Sequence, residues 1–248
     1  MHTDCLNCAA TVVPHNYCPN CGQKTTTHRY SIQHFIAHDF VHGIWHVDKG
    51  ILFTLAGLFK RPGHSVREFI LGKRVPHFNF ITLILLILTL ASIIAPYSHG
   101  KMSDLMPEQG KQLTTDFERF VSAYPKLVLI IAIPVYSLFS FAWFRKARLN
   151  YSEHLVINSN RIIPELIVGL LISVISIFYS NKTGLTFLYL LVPSLFSLVY
   201  SIWFYYQFFS WYGYSKKALL FRGIMVPVSY MFLTILLGFL SAVFSAKA

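Results

Sequence analysis

Residues 78–96 read FNFITLILLILTLASIIAP, and this uncharged stretch decides the fold. About 20 apolar residues in a helix are enough to cross the hydrocarbon core of a bilayer, so the stretch predicts a transmembrane helix. Four further apolar stretches follow it along the chain. The predicted spans are approximately 78–96, 126–144, 162–180, 186–209 and 224–245. The sequence therefore predicts an all-α membrane protein with a five-span bundle over residues 78–248.

The overall composition agrees with this fold class. Of 248 residues, 54% are hydrophobic and only 12% are charged, whereas soluble domains average about 25% charged residues. The net charge of +11 is explained by the basic loops of a membrane protein. A nucleic-acid-binding domain would cluster Lys and Arg on a soluble module, and only Lys24 adjoins the N-terminal motif described next. The composition thus argues against nucleic-acid binding.

All four cysteines stand near the N-terminus, in CLNCAATVVPHNYCPNC at residues 5–21. Cys5, Cys8, Cys18 and Cys21 form two C-x2-C pairs, the ligand pattern of a structural zinc ribbon. Disulfides are an alternative. Haem attachment would require a histidine after a C-x-x-C pair, and a redox centre needs one pair rather than two. Residues 1–24 are too few to bury a core, so one structural zinc is expected to stabilise this ribbon.

Residues 30–77 form a second region, which is predicted to lie at the membrane interface. The apolar stretches here are too short to span, which favours short amphipathic helices or a shallow re-entrant pair. A capping-box pattern at Ser65 and Glu68 predicts that a helix begins at Ser65, and Gly72 is expected to end it. Histidines recur at every fourth position and could form a second metal-binding or pH-sensing face, or only the polar face of a helix. They are His34, His38, His42 and His46.

Basic residues are concentrated just before the first span. We expect them to contact anionic lipid phosphates, although the same charges also act as topology signals. The residues are Lys60, Arg61, Arg67, Lys73 and Arg74.

Orientation follows from the distribution of Lys and Arg. The loops on the side of the N-terminus hold 12 of these residues, at 60–77, 145–161 and 216–222, against 6 on the other side. Positively charged loops stay in the cytoplasm, and zinc-binding thiolates also require a reducing compartment. The N-terminus is therefore expected in the cytoplasm and the C-terminus outside.

Three segments carry a family resemblance. They are CLNC with YCPNCGQ in the ribbon, HVDKGILFTLAGLFKRPGHSVREFILGKRVPHF at residues 46–78, and NYSEHLVIN at residues 150–158. In these segments the chain resembles the DUF3667 family, bacterial membrane proteins of unknown function. The resemblance implies a multi-pass protein of the bacterial inner membrane with a zinc-ribbon head, and it implies no reaction.

The spans hold no ionisable residue at mid-depth, with Arg161 and Glu165 predicted at the entry of the third. Ion-coupled transporters usually need such a residue at depth. Glu153 and His154 are predicted to lie in a cytoplasmic loop and do not form a metalloprotease motif.

No catalytic residue is therefore assigned, and an integral-membrane enzyme ranks third. The favoured function is a non-enzymatic scaffold or adaptor whose zinc-binding head recruits a cytoplasmic protein, with membrane lipids as further partners. The alternative is a small-solute, lipid or metal permease regulated by the ribbon. The oligomeric state is left open.

Overall fold

The computed structural model describes residues 4–12, 16–27, 30–31, 50–99, 119–120 and 123–245. These residues form eight α-helices: α1 Gly50–Lys60, α2 Pro62–Ile70, α3 Phe80–Ile94, α4 Pro125–Trp143, α5 Tyr151–Phe178, α6 Lys182–Thr186, α7 Val192–Phe209 and α8 Lys216–Ser245. A π-helical turn, Phe187–Leu191, joins α6 to α7 in one continuous rod. In the described ribbon the extended backbone is limited to two isolated bridges, Asp4 to Thr11 and Tyr17 to Lys24. The predicted all-α fold is confirmed.

Five helices are long and apolar enough to cross a membrane, as predicted. Their bounds are Phe80–Tyr97, Pro125–Trp143, Tyr151–Phe178, Thr183–Phe209 and Lys216–Leu237. The first two lie within two residues of the predicted bounds. The third, however, begins at Tyr151 rather than near 162, so the predicted loop over residues 145–161 is wrong for residues 151–161. This segment forms the first turns of α5 because Asn150 and Glu153 make a reciprocal capping box at its N-terminus.

The long helix α5 forms the centre of the molecule. It packs against α3, α4 and α7, and α8 closes the bundle against α4 and α7. Every residue from Ser152 to Arg161 is buried. Aromatic rings fill the space beside it, with Phe144 stacked on Phe209 at a centroid distance of 3.8 Å. The polar start of α5 is thus enclosed by protein on all sides, and this explains why it is helical despite its low hydropathy.

The short helices α1 and α2 form a hairpin that packs on α5 and α7. The predicted helix start at Ser65 is wrong, because α2 begins at Pro62 and Ser65 is buried inside it against Gly57. Proline suits a first helical turn because the amide hydrogen that it lacks would have no partner there. The predicted stop is confirmed: Gly72 has a φ of 108°, which favours glycine, and its N–H donates to Phe69 O.

Candidate functional site

The four cysteines converge on one point. Their sulfur atoms all lie within 4.8 Å of one another. The Sγ atoms of Cys5 and Cys21 are 3.6 Å apart, and those of Cys8 and Cys18 are 3.7 Å apart. A tetrahedral ion with metal–sulfur bonds of about 2.3 Å needs edges of about 3.8 Å between its ligands. The set is therefore close enough to hold one metal ion.

Two equivalent knuckles build this cluster. The equivalent positions are Cys5 and Cys18, Ala9 and Gly22, and Ala10 and Gln23. In each knuckle the N–H of the first cysteine donates to the carbonyl five residues later, at 2.9 and 2.8 Å. Each also turns through a left-handed residue, Ala9 with φ 56° and Gly22 with φ 73°.

Cys8 and Cys21, the second cysteines of the two C-x2-C pairs, differ in the pKa of their thiols. A hydrogen bond with the Ala10 backbone, followed by one with the Asn20 side chain, lowers the pKa of Cys8 to about 6. Burial raises the pKa of Cys21 to about 11. Metal ligation requires thiolates, so Cys8 is ready to bind at neutral pH whereas Cys21 must lose its proton as the ion binds.

The ribbon is held against the region that leads into the first span. The side-chain oxygen of Gln23 accepts a 3.2 Å hydrogen bond from Arg74 N. Leu6 lies over Gly72, where an added β-carbon would be 2.7 Å from its Cδ1. The Arg74 guanidinium lies 4.1 Å from the centre of the Tyr30 ring, whose backbone oxygen accepts from Asn150 at 2.9 Å. These contacts link the metal site to the N-terminus of α5.

The basic residues predicted to contact lipid divide into two groups. Arg67 and Arg74 stack on aromatic rings, Arg67 at 4.5 Å from the centre of Trp211. Arg61 pairs with Glu68 at 3.1 Å, while Lys60 and Lys73 are exposed. Lipid contact stays a prediction for this set. The histidine ladder lies outside the described residues.

A buried ion pair in α5 is the main feature that sequence reasoning missed. Arg161 is only 2% exposed and pairs with Glu165 one turn later. Its Nη1 also donates to Ser201 at 2.8 Å, and its guanidinium lies 3.9 Å from the centre of the Tyr136 ring. Ser197 donates to Glu165 at 2.9 Å.

The prediction that no ionisable residue lies at mid-depth in a span stays a prediction. Residues 161 and 165 are about 25 and 20 Å from the Phe178 end of α5 at 1.5 Å per residue. A hydrocarbon core of about 30 Å measured from that end would place them about 5 and 10 Å from its opposite boundary, near the entry of the span. The i, i+4 spacing of Arg161 and Glu165 was the signal in the sequence that could have predicted this ion pair.

A second buried cluster surrounds His154, about two helical turns from Arg161 towards the start of α5. Its Nδ1 is 2.8 Å from Ser140 Oγ, which also accepts from Asn158 at 2.8 Å. Tyr205 donates to the Asn158 oxygen at 2.5 Å. Ser140 and His154 are at most 1% exposed, so a substrate cannot reach this hydroxyl in the conformation described. The cluster joins α4, α5 and α7 through satisfied hydrogen bonds.

Comparison with known proteins gives one match. Residues 48–91 match the family model described as "Protein of unknown function (DUF3667)". The match covers α1, α2 and most of α3, and it includes most of the segment that suggested the family. No curated protein and no solved structure matches the chain. Over residues 48–91, the chain thus resembles the DUF3667 family of proteins of unknown function.

Proposed function

We propose that this multi-pass protein is a non-enzymatic membrane scaffold or adaptor, whose ribbon recruits a cytoplasmic protein partner. The observation that carries the proposal is the way the ribbon is mounted. Leu6 and Gln23 attach the ribbon to the segment before the first span, while Pro19 and Asn20 at the tip of the second knuckle are exposed. Tyr17 in that knuckle is 60% exposed. Exposed tyrosines often anchor protein interfaces because they bury a large area at a small cost in side-chain entropy.

Zinc is the proposed metal, one ion per chain. Four thiolates in a closed tetrahedron are the ligand set of structural zinc, and a closed set leaves no coordination position for a substrate. The ion would stabilise a segment that has almost no hydrophobic core of its own. Its role in this proposal is therefore to keep the second knuckle in shape for the partner.

The proposed location is the bacterial inner membrane, with the ribbon in the cytoplasm and the C-terminus outside. The Lys and Arg excess on one side supports this orientation. A reporter fused after Ala248 should be active outside, and one inserted near Ser215 should be active in the cytoplasm. A cytoplasmic reporter after Ala248 would contradict the orientation or the five-span count.

Crosslinking tests the recruiting role. In one strain, a photoreactive amino acid is incorporated in place of Tyr17. In a control strain, it is incorporated in place of Phe232, which is 67% exposed and lies in the fifth span. We expect one protein adduct of discrete mass from position 17 and none of that mass from position 232. The purified partner should then bind the full chain, and Tyr17→Ala should weaken binding about tenfold or more while zinc content stays unchanged. An identical adduct from both positions, or equal binding by Tyr17→Ala, would contradict the proposal.

A permease is the second candidate, and the buried Arg161–Glu165 pair favours it. Ionisable residues inside a membrane often mark substrate or ion pathways. The test is electrical recording from liposomes that contain the purified chain, with solutes and metal ions added in turn. A current in the wild type that Glu165→Gln abolishes would support the permease. If the wild type gives no current with any solute or metal ion and Glu165→Gln is less stable, the Arg161–Glu165 pair has a structural role.

A further inference from the structure

Arg67 on α2 has no ion-pair partner among the residues that the structure describes. Its Nη1 atom is buried and has no hydrogen-bond partner. The adjacent carboxylate, Glu68, is engaged elsewhere, because both of its oxygens accept from Arg61, at 3.1 and 3.4 Å. Burying a charged donor without a partner is unfavourable. The guanidinium of Arg67 is therefore available to an anionic partner from outside the chain.

The electrostatic surroundings of Arg67 are positive. His64 lies one helical turn before it, and its pKa is lowered by burial and by the charges of Arg67 and Arg61. Burial also lowers the pKa of Arg67 itself, and the opposing influence of Tyr212 and Glu68 is smaller. Both shifts agree with a site that a bound negative charge would stabilise.

One face of the Arg67 guanidinium is covered by an aromatic ring. Its central carbon lies 4.5 Å from the centre of the Trp211 ring, and Trp211 is itself 73% exposed. The Arg67 side chain remains only half-buried. Stacking uses the flat face of a guanidinium, whereas bonds to a phosphate use the N–H groups along its edge. The stack can therefore hold Arg67 in place while its edge binds an anion.

The packing of α2 fixes this site at the membrane surface. Gly63, at the start of α2, leaves no room for a β-carbon against the backbone of Phe204 in the fourth span. One turn further along α2, Arg67 meets Trp211, two residues after that span ends at Phe209. Tryptophan is enriched where spans leave the hydrocarbon, so Arg67 lies at the level of the lipid headgroups.

We propose that Arg67 binds the phosphate of an anionic phospholipid, with Trp211 beside it in the headgroup layer. The edge of the guanidinium would form paired hydrogen bonds with two phosphate oxygens. The phosphate supplies the negative charge that Glu68 gives to Arg61 instead. The depth of the site and the apolar body of the exposed Trp211 ring favour a lipid over a soluble phosphate ester.

Lipid binding to the purified full chain tests the proposal. The chain is equilibrated in micelles with equal amounts of phosphatidylglycerol and phosphatidylcholine, at an ionic strength of about 0.15 M that screens distant charges. Retained lipid is measured by native mass spectrometry. Arg67→Gln should lower the ratio of phosphatidylglycerol to phosphatidylcholine by about fivefold. The matched control is Lys73→Gln, which removes the same charge from an exposed residue just after α2 and should leave the ratio within about twofold.

A second variant, Arg67→Lys, keeps the charge and the aliphatic stem, so it provides a test even if Arg67→Gln is unstable. It should also lower the ratio, because lysine cannot form the paired bonds.

Four results would overturn the proposal. One is a wild-type chain that does not prefer phosphatidylglycerol. Another is an equal loss in Arg67→Gln and Lys73→Gln, which would indicate general attraction to basic surface. A third is an unchanged ratio in Arg67→Lys, which would exclude recognition by paired hydrogen bonds. The last is displacement of the lipid by glycerol phosphate at the same concentration, which would identify a soluble phosphate ester as the ligand.

Discussion

Replacing Gly63 by alanine tests the close contact between α2 and α7. A β-carbon at this position would lie 2.3 Å from Phe208 N and 2.4 Å from Phe204 O, both backbone atoms. The Gly63 N–H also donates to the Gln207 side chain at 3.2 Å. Because backbone atoms cannot rotate away, the two helices would have to separate by about 1 Å to reach ordinary van der Waals contact.

The expected cost follows from two opposing effects. Forcing an extra methyl into a packed contact costs about 1–3 kcal/mol, and a clash with backbone belongs at the upper end. Alanine returns about 1 kcal/mol because it favours helix more than glycine does. The net loss of about 2 kcal/mol corresponds to a fall in Tm of about 4–8 °C for a chain of this size.

Thermal unfolding of the detergent-purified protein measures the effect. The matched control is Gly223→Ala, because Gly223 packs on the same helix but its added β-carbon would be 3.5 Å from Ile202 Cα, an ordinary contact. Gly223→Ala should keep or raise the Tm. A Tm for Gly63→Ala at or above that of the wild type would refute the reasoning, as would an equal fall in both variants.

Three further predictions concern the metal site, the buried pair and a buried histidine. In Cys18→Ser, elemental analysis should show the loss of one zinc per chain. The Tm of the bundle should stay unchanged because helix packing stabilises the spans. An unchanged zinc content would mean that the ligands lie elsewhere. Glu165→Leu should lower the free energy of unfolding by about 3–5 kcal/mol, because Arg161 loses its partner. The double variant Arg161→Met/Glu165→Leu should recover part of the lost Tm. A double variant less stable than Glu165→Leu would contradict this prediction. Burial lowers the pKa of His77 to about 4 from the usual 6.5. As the pH falls, His77 is therefore protonated in the unfolded chain before it is protonated in the folded chain. The stability of the fold should decrease as the pH drops from about 6.5 towards 4. His77→Phe should show a smaller loss of Tm between pH 7.5 and 5, and an equal loss would assign the pH dependence to other groups.

Features that depend on local sequence were predicted well. The number of spans follows from the length of each apolar stretch, because lipid offers no hydrogen bonds and a helix satisfies its own backbone. The four thiols meet because two C-x2-C turns each present their sulfurs to one point, a short-range property of the chain. Gly72, which was predicted to end its helix, adopts a positive φ for the same local reason.

Only the tertiary structure decided where the polar residues of the spans lie. The residues from 151 to 161 resemble a loop by hydropathy, yet they are helical and buried because distant side chains satisfy them. Ser140 is 14 residues from His154, and Tyr205 is 47 residues from Asn158. The Arg161–Glu165 pair likewise depends on Ser197 and Ser201 from α7. Hydropathy measures each residue against lipid, whereas the cost of burying a polar group depends on the partners that other helices bring to it.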